Sequence, residues 1–129
     1  MKEVYNFVQQ HRNMLNIVIV YTKEEHASDE WSLPNNYDIA THRVLKDRLK
    51  ASEIFKNEFS YWFETSTNGF VTHLLMDNMS DEMAVDFNST PDRLFLVDNT
   101  NMKIVYRSIA GPFGALKTKP LIPILQKLR

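Results

Sequence analysis

Asn16-Ile17-Val18-Ile19-Val20-Tyr21 is an almost unbroken apolar, β-branched run, and it ends abruptly in the polar Thr22-Lys23-Glu24-Glu25-His26. A run of this kind suits a strand covered on both faces in a parallel sheet, because no alternate residue is left to face water. It is expected at or near the sheet's centre. Carboxylates and an imidazole then fall at the strand's end, which is where α/β proteins keep their chemistry.

The flanking sequence supplies the partners of such a strand. Val4, Phe7, Val8, His11 and Leu15 recur at helical spacing, which predicts an amphipathic helix over about Lys2 to Asn13. The segment from Glu24 to Tyr37, with Leu33-Pro34-Asn35-Asn36, has no sustained period and reads as a long loop able to close over a site. Asp38 or Thr41 is placed to cap a helix running to about Phe59. Its apolar flank would be Leu45, Leu49, Ser52, Phe55 and Phe59, with Lys46, Lys50 and Lys56 on another flank. Phe59, Tyr61, Trp62 and Phe63 should pack at that helix's end. Beyond the turn Thr65 to Gly69, a second strand is expected over Val71 to Met76, then a short helix from Ser80-Asp81-Glu82-Met83 with a serine cap. Arg93 to Val97 and Lys103 to Tyr106 flank Asp98-Asn99-Thr100-Asn101 as a β-hairpin. Thr118, Pro120, Leu121, Leu125 and Leu128 mark a terminal helix with prolines in its first turn. Pro91 has two readings, a cis-proline or a trans-proline starting a strand.

The 129 residues, 43% hydrophobic and 12% aromatic, suffice for one compact domain over residues 1–129 and are too few for two. Fifteen basic against sixteen acidic residues give no electrostatic case for a nucleic-acid partner or an anionic membrane. No apolar run approaches the roughly 20 residues that span a bilayer, so the chain as written reads as soluble. With no cysteine, disulfides, thiolate metal sites and thiol redox chemistry are excluded within this sequence. His11, His26, His42 and His73 lack metal-ligand spacing, so no metal and no cofactor are assigned. Ser28 has no base-and-orienter arrangement for hydrolytic catalysis. Gly111-Pro112-Phe113-Gly114 lacks the following Lys-Ser/Thr of a phosphate loop and reads as a turn.

Glu24 and His26, the run Ser28-Asp29-Glu30-Trp31, Asn35-Asn36, His42-Arg43, Asp47-Arg48 and Gly111-Pro112-Phe113-Gly114 together resemble the iodothyronine deiodinases. These are thioredoxin-fold selenoenzymes that remove iodine reductively from thyroid hormones. The match runs from about Val8 onward. The resemblance implies an α/β, thioredoxin-like fold that is N-terminally truncated, with the active-site strand and loop absent. Met1 would fall inside the helix after the active-site loop. Upstream would lie the family's membrane anchor, a linker, and the strand and loop that end in the catalytic selenocysteine. That strand is central in the family's sheet, and each buried backbone group left without a partner costs about 1–3 kcal/mol. Several such losses rival a whole domain's stability of about 5–15 kcal/mol. The chain alone is therefore expected to fold poorly.

What the resemblance implies for the site is specific. Glu24 and His42 would be catalytic, handling protons around the selenium, and His26 would help clamp the iodothyronine phenol. Replacing iodine by hydrogen on a phenol ring needs a proton donor near neutral pH, which histidine supplies. Glu24 and His26 stand two apart, so a strand continued through them would point both to one side. Trp31 would wall the pocket or anchor its loop on the core. Asp47 and Arg48 read as structural ion pairs, worth about 0–1 kcal/mol if exposed. If cis, Pro91 would be the proline that thioredoxin folds set against the active site. Lys23 and Glu30 depart from the family's usual acidic residue and glycine. Ala110 stands where a basic residue helps bind hormone, and Ser108-Ile109 where two glycines are usual. The lost cation would remove a charge-assisted hydrogen bond of about 1.5–3 kcal/mol.

Two function classes stay open. One is a deiodinase acting on thyroid hormone or a related iodinated phenol with a thiol reductant, its activity conditional on a selenocysteine missing from this chain. The other is a non-catalytic truncated paralogue that binds a phenolic ligand or dimerises, with itself or with a full-length relative. A thiol peroxidase is disfavoured by the lack of cysteine.

Overall fold

The computed structural model describes residues 1–34, 37–64, 69–111 and 114–128. It is a mixed α/β chain in the order α1 (Lys2–Gln10), β1 (Ile17–Tyr21), α2 (Leu45–Glu58), a 3-10 turn (Ser60–Trp62), β2 (Thr72–Met76), α3 (Glu82–Asp86), β3 (Phe95–Asp98), β4 (Lys103–Arg107) and α4 (Leu121–Lys127). The elements fall into two compact units, one of Met1–His11 with Ser89–Arg129, the other of Arg12–Asn88.

In the Arg12–Asn88 unit the β-branched run pairs in parallel with β2, in the register Ile17 with Thr72 through Tyr21 with Met76. Asp77 N–H donates to Tyr21 O at 2.8 Å and carries the ladder one step further. Among the described residues this sheet has two strands. The expectation of a strand covered on both faces is not met. Side chains alternate across a strand, and α2 packs on the face of Tyr21 and Met76. Tyr21 meets Phe55 edge to face at 5.7 Å, and Ser52 Oγ lies 3.3 Å from Met76 Sδ. On the opposite face Val18 is 57% exposed and Leu75 52%.

Two further expectations are corrected in α2. The helix begins at Leu45, so His42 and Arg43 precede it instead of forming its first turn. Neither Asp38 nor Thr41 caps it. Val44 is the N-cap, and Asp47 in the first turn reaches back so that its carboxylate accepts from the Arg43 and Val44 N–H groups at 3.0 and 3.2 Å. The buried face is also turned by roughly 50° about the axis relative to the expected one. Arg48, Ala51 and Ser52 are buried, while Leu45 and Leu49 are 52% and 46% exposed. Hydropathy alone places the leucines inside; the guanidinium's hydrogen bonds place Arg48 there instead.

Past α2, Phe59, Tyr61 and Trp62 pack in sequence as expected, and the buried Trp62 meets Phe70 edge to face. The short α3 is capped differently from the serine expectation. Ser80 Oγ donates to Asn78 Oδ1, and that same oxygen accepts from Glu82 N–H. The buried Asp77 carboxylate accepts from Asn78, Met83 and Ala84 N–H, each at 2.9 Å.

In the other unit β3 and β4 form the expected antiparallel hairpin, with a register shift between Leu96 and Val97. Its turn is closed by Asp98 accepting from Thr100 and Asn101 accepting from Lys103 N–H. The Thr90–Pro91 peptide is cis. Ser108 is buried, its hydroxyl accepting from Leu94 N–H and donating to Ile109 O. The Glu3 carboxylate accepts from the N–H and hydroxyl of Thr118, just ahead of α4. The expected turns at Asn35-Asn36, Thr65 to Asn68 and Pro112-Phe113 lie outside the described residues.

Candidate functional site

Where β1 ends, the chain leaves the sheet and folds back on itself. Strand geometry stops at Tyr21, so Glu24 and His26 are not related by strand alternation. The segment is stapled instead. Ser28 N–H donates to Ile39 O at 2.8 Å, and Asp29 accepts from both the N–H and the hydroxyl of Thr41 at 2.7 and 3.0 Å. Ala27 is fully buried at the base of this fold-back. The Asp29 carboxyl is accordingly held below the usual carboxylate range by its hydrogen bonds to Thr41.

The staple delivers Glu24, Glu30, Thr41 and His42 to one cavity of about 240 Å³, which is also lined by Lys23, Glu25, Arg48, Met79 and Asp81. Glu24 and His42 face each other across it, Oε1 to Nε2 at 3.9 Å. That is too long for a direct hydrogen bond and leaves both atoms directed at the same space. The Tyr21 hydroxyl donates to Glu24 Oε1, and the Tyr21 ring stacks against His42. Among the described residues the His42 Nε2 atom is buried with no hydrogen-bond partner.

Burial shifts both ionisations. Desolvation raises the Glu24 carboxyl above its ordinary 4.5, against the opposing pull of Arg48. Desolvation lowers His42 below 6.5, and Arg48 lowers it further, while Asp47 and Asp81 oppose. Glu24 thus keeps its proton to higher pH than an exposed glutamate, and His42 stays neutral to lower pH than an exposed histidine.

Behind the pair stands a group that residue-type reasoning undervalued. Arg48 makes the expected structural ion pair, with Asp81 at 3.0 Å, but from a buried position, 2% exposed. Its Nε–H donates to His42 Nδ1 at 3.1 Å. Its Nη1 donates to the carbonyls of Asp77 and Asn78 at 3.1 and 2.5 Å, and its Nη2 to Asp81 Oδ1 at 3.0 Å. The available signal was the i, i+6 spacing of His42 and Arg48 across a helix start, which is legible only once the start is fixed at Leu45. Asp47, the expected ion-pair residue, lies in the first turn of α2 and accepts from the two backbone N–H groups ahead of the helix.

His26 and Trp31 come together, but not around this cavity. The His26 ring meets Trp31 edge to face at 4.8 Å, and its Nδ1 sits 3.0 Å from Trp31 O. Trp31 is 71% exposed. Ala110 is exposed beside Ile109. Among the described residues no group of three or more His, Asp or Glu is arranged to hold a metal ion.

Comparison with known proteins adds the family. Residues 1–128 match the family model described as iodothyronine deiodinase. Type I iodothyronine deiodinase of Xenopus laevis is 30% identical over 125 residues, which cover 97% of this chain and 44% of that relative. Thyroxine 5-deiodinase of Sparus aurata is 29% identical over 108 residues, 83% of this chain and 36% of the relative. The Ovis aries protein of the same name is 24% identical over 115 residues, 88% and 35%. The chain thus spans less than half the length of these curated relatives.

Proposed function

We propose, from the premise that this chain belongs to the iodothyronine deiodinase family, that residues 1–129 form one thioredoxin-like domain contributing the proton-handling side of a reductive deiodination site. The substrate is thyroid hormone or a related iodinated phenol. In that reaction the carbon–iodine bond breaks, iodine passes to a selenium nucleophile that this sequence does not contain, and the ring carbon takes a proton. A thiol reductant then supplies two electrons to free iodide and regenerate the selenol.

The observation that carries the reading is the convergence of Glu24 Oε1 and His42 Nε2 on one cavity. A glutamate whose proton is retained by burial is a better acid near neutrality than an exposed one. The lining sets the carboxylates Glu25, Glu30 and Asp81, beside the Glu24 carboxyl, against the cations Lys23 and Arg48. Such a lining favours a neutral phenol over a phenolate. The cavity is smaller than the about 300–1,000 Å³ typical for drug-sized ligands, which suits a single ring. The exposed Trp31, edge to face with the half-buried His26, offers an aromatic surface suited to the face of a second, iodinated ring.

The test is iodide release from iodinated phenols by the longest natural form of the protein, with selenium present if the gene encodes it. Glu24→Gln and His42→Ala should each lower kcat by about 10²- to 10⁴-fold. Unchanged kcat in both variants would remove the reading. A second reading, a phenol-binding or dimerising paralogue without catalysis, is favoured by Ala110 and by the structural use of Ser108 where the family has glycine. Saturable binding of an iodinated phenol without iodide release would select it.

A further inference from the structure

The His42–Glu24 pair uses one ring nitrogen of His42, and the other is held by a buried cation. We propose that Arg48 is a positioning residue that locks His42 as the tautomer with its proton on Nε2, so that the nitrogen facing Glu24 is always the donor.

A guanidinium offers donors and no acceptor. With Arg48 Nε–H donating to His42 Nδ1 at 3.1 Å, that nitrogen must present its lone pair. A proton on Nδ1 would set two N–H groups head to head. Arg48 cannot turn aside to relieve such a clash. Two carbonyls and the Asp81 carboxylate hold its other nitrogens, and the side chain is buried. Nor does it surrender its charge, since arginine stays protonated in proteins. A second proton on the ring would have to go to Nδ1, so it is opposed by both geometry and charge.

The ionisable and charged groups facing the ring are Glu24 across the cavity, Tyr21 stacked on it from β1, Arg48 and Asp47 from α2, and Asp81 ahead of α3. The functional consequence rests on the deiodination reading. His42 then serves as a fixed neutral hydrogen-bond donor, and Glu24 carries the mobile proton. Arg48 also lines the cavity and opposes the rise of the Glu24 ionisation, but the role proposed for it is to hold the His42 ring.

The experiment is long-range proton–nitrogen correlation on the full chain with labelled histidine at neutral pH. It assigns the protonated nitrogen of His42 directly and requires no turnover. The expected result is a protonated Nε2 and a bare Nδ1. In Arg48→Met, with folding checked by circular dichroism, the ring should become a tautomer mixture and titrate closer to its ordinary value. Arg48→Lys, which keeps charge but loses the planar donor, should hold the titration low without fixing the tautomer. A wild-type ring protonated on Nδ1 would overturn the proposal, as would a folded Arg48→Met variant with the tautomer unchanged. If Arg48→Met does not fold, the wild-type spectrum decides alone. A chain that shows the expected tautomer while the longest form releases no iodide keeps the positioning role and removes the deiodination reading.

Discussion

Asp77 shows how much a single buried carboxylate organises. It is 1% exposed and accepts from three backbone N–H groups, two of them in the first turn of α3. Its backbone carbonyl also receives Arg48. Asp77→Ala leaves the buried Ala84 N–H and the part-buried Asn78 and Met83 N–H groups without their acceptor and should cost about 2–4 kcal/mol by urea denaturation; a loss under about 0.5 kcal/mol would show that water replaces the carboxylate. Glu24 gives a second residue-scale prediction, in pH. Its folded-state ionisation is raised by burial, so the native chain binds the proton more tightly than the unfolded one. Its contribution to stability is therefore complete below about pH 4.5 and is lost as pH rises through the folded value. Glu24→Gln cannot ionise, so its stability relative to wild type should increase as pH rises from that point. A difference flat with pH would contradict the burial assigned to Glu24. His42 acts in the opposite sense: lowered in the fold, it favours the native state above about pH 6.5 and loses that contribution as pH falls.

At the scale of elements, α2 decides which residues reach the cavity. Leu45 and Leu49 recur at helical spacing, and hydropathy puts them inside, yet both are exposed. The face turned inward is Arg48, Ala51 and Ser52. A sequence pattern weighs side chains by their own hydropathy; it cannot count the four hydrogen bonds that make burial of Arg48 tolerable. Ala51 on that face is 2% exposed. Ala51→Leu should overpack this face and destabilise by about 1–3 kcal/mol, read from the denaturation midpoint, whereas Leu49→Ala on the exposed flank should stay within about 0.5 kcal/mol. Equal effects at the two positions would mean that the helix face is assigned wrongly. The loop after β1 teaches the same lesson from the other side. Its lack of period marked it as irregular, and only the pairing of Asp29 with Thr41 shows it to be tied down.

At the scale of the molecule, the open side of the β1–β2 ribbon is an exposed apolar face. Val18, Val20, His73 and Leu75 share that face by strand alternation, and Val18 and Leu75, like Val71 just ahead of β2, are more than half exposed. Two-stranded sheets are marginal without a covering layer, and contiguous exposed apolar residues drive association. The chain should self-associate with rising concentration and bind a hydrophobic dye, by sedimentation velocity and fluorescence. Val18→Thr with Leu75→Thr should reduce both. A wild-type chain that stays monomeric and dye-free at every concentration would contradict this. The sequence by itself determined the elements and their order, because β-branched runs, helical spacing and turn residues act through the local backbone. It also carried the family resemblance, and with it the interest in Glu24, His26, Trp31 and His42. Only the tertiary structure decided that Glu24 meets His42 while His26 meets Trp31, and that Arg48 stands buried behind the ring. Those outcomes depend on how a loop closes and how a helix is rotated, and both are set by hydrogen bonds between residues up to 33 positions apart.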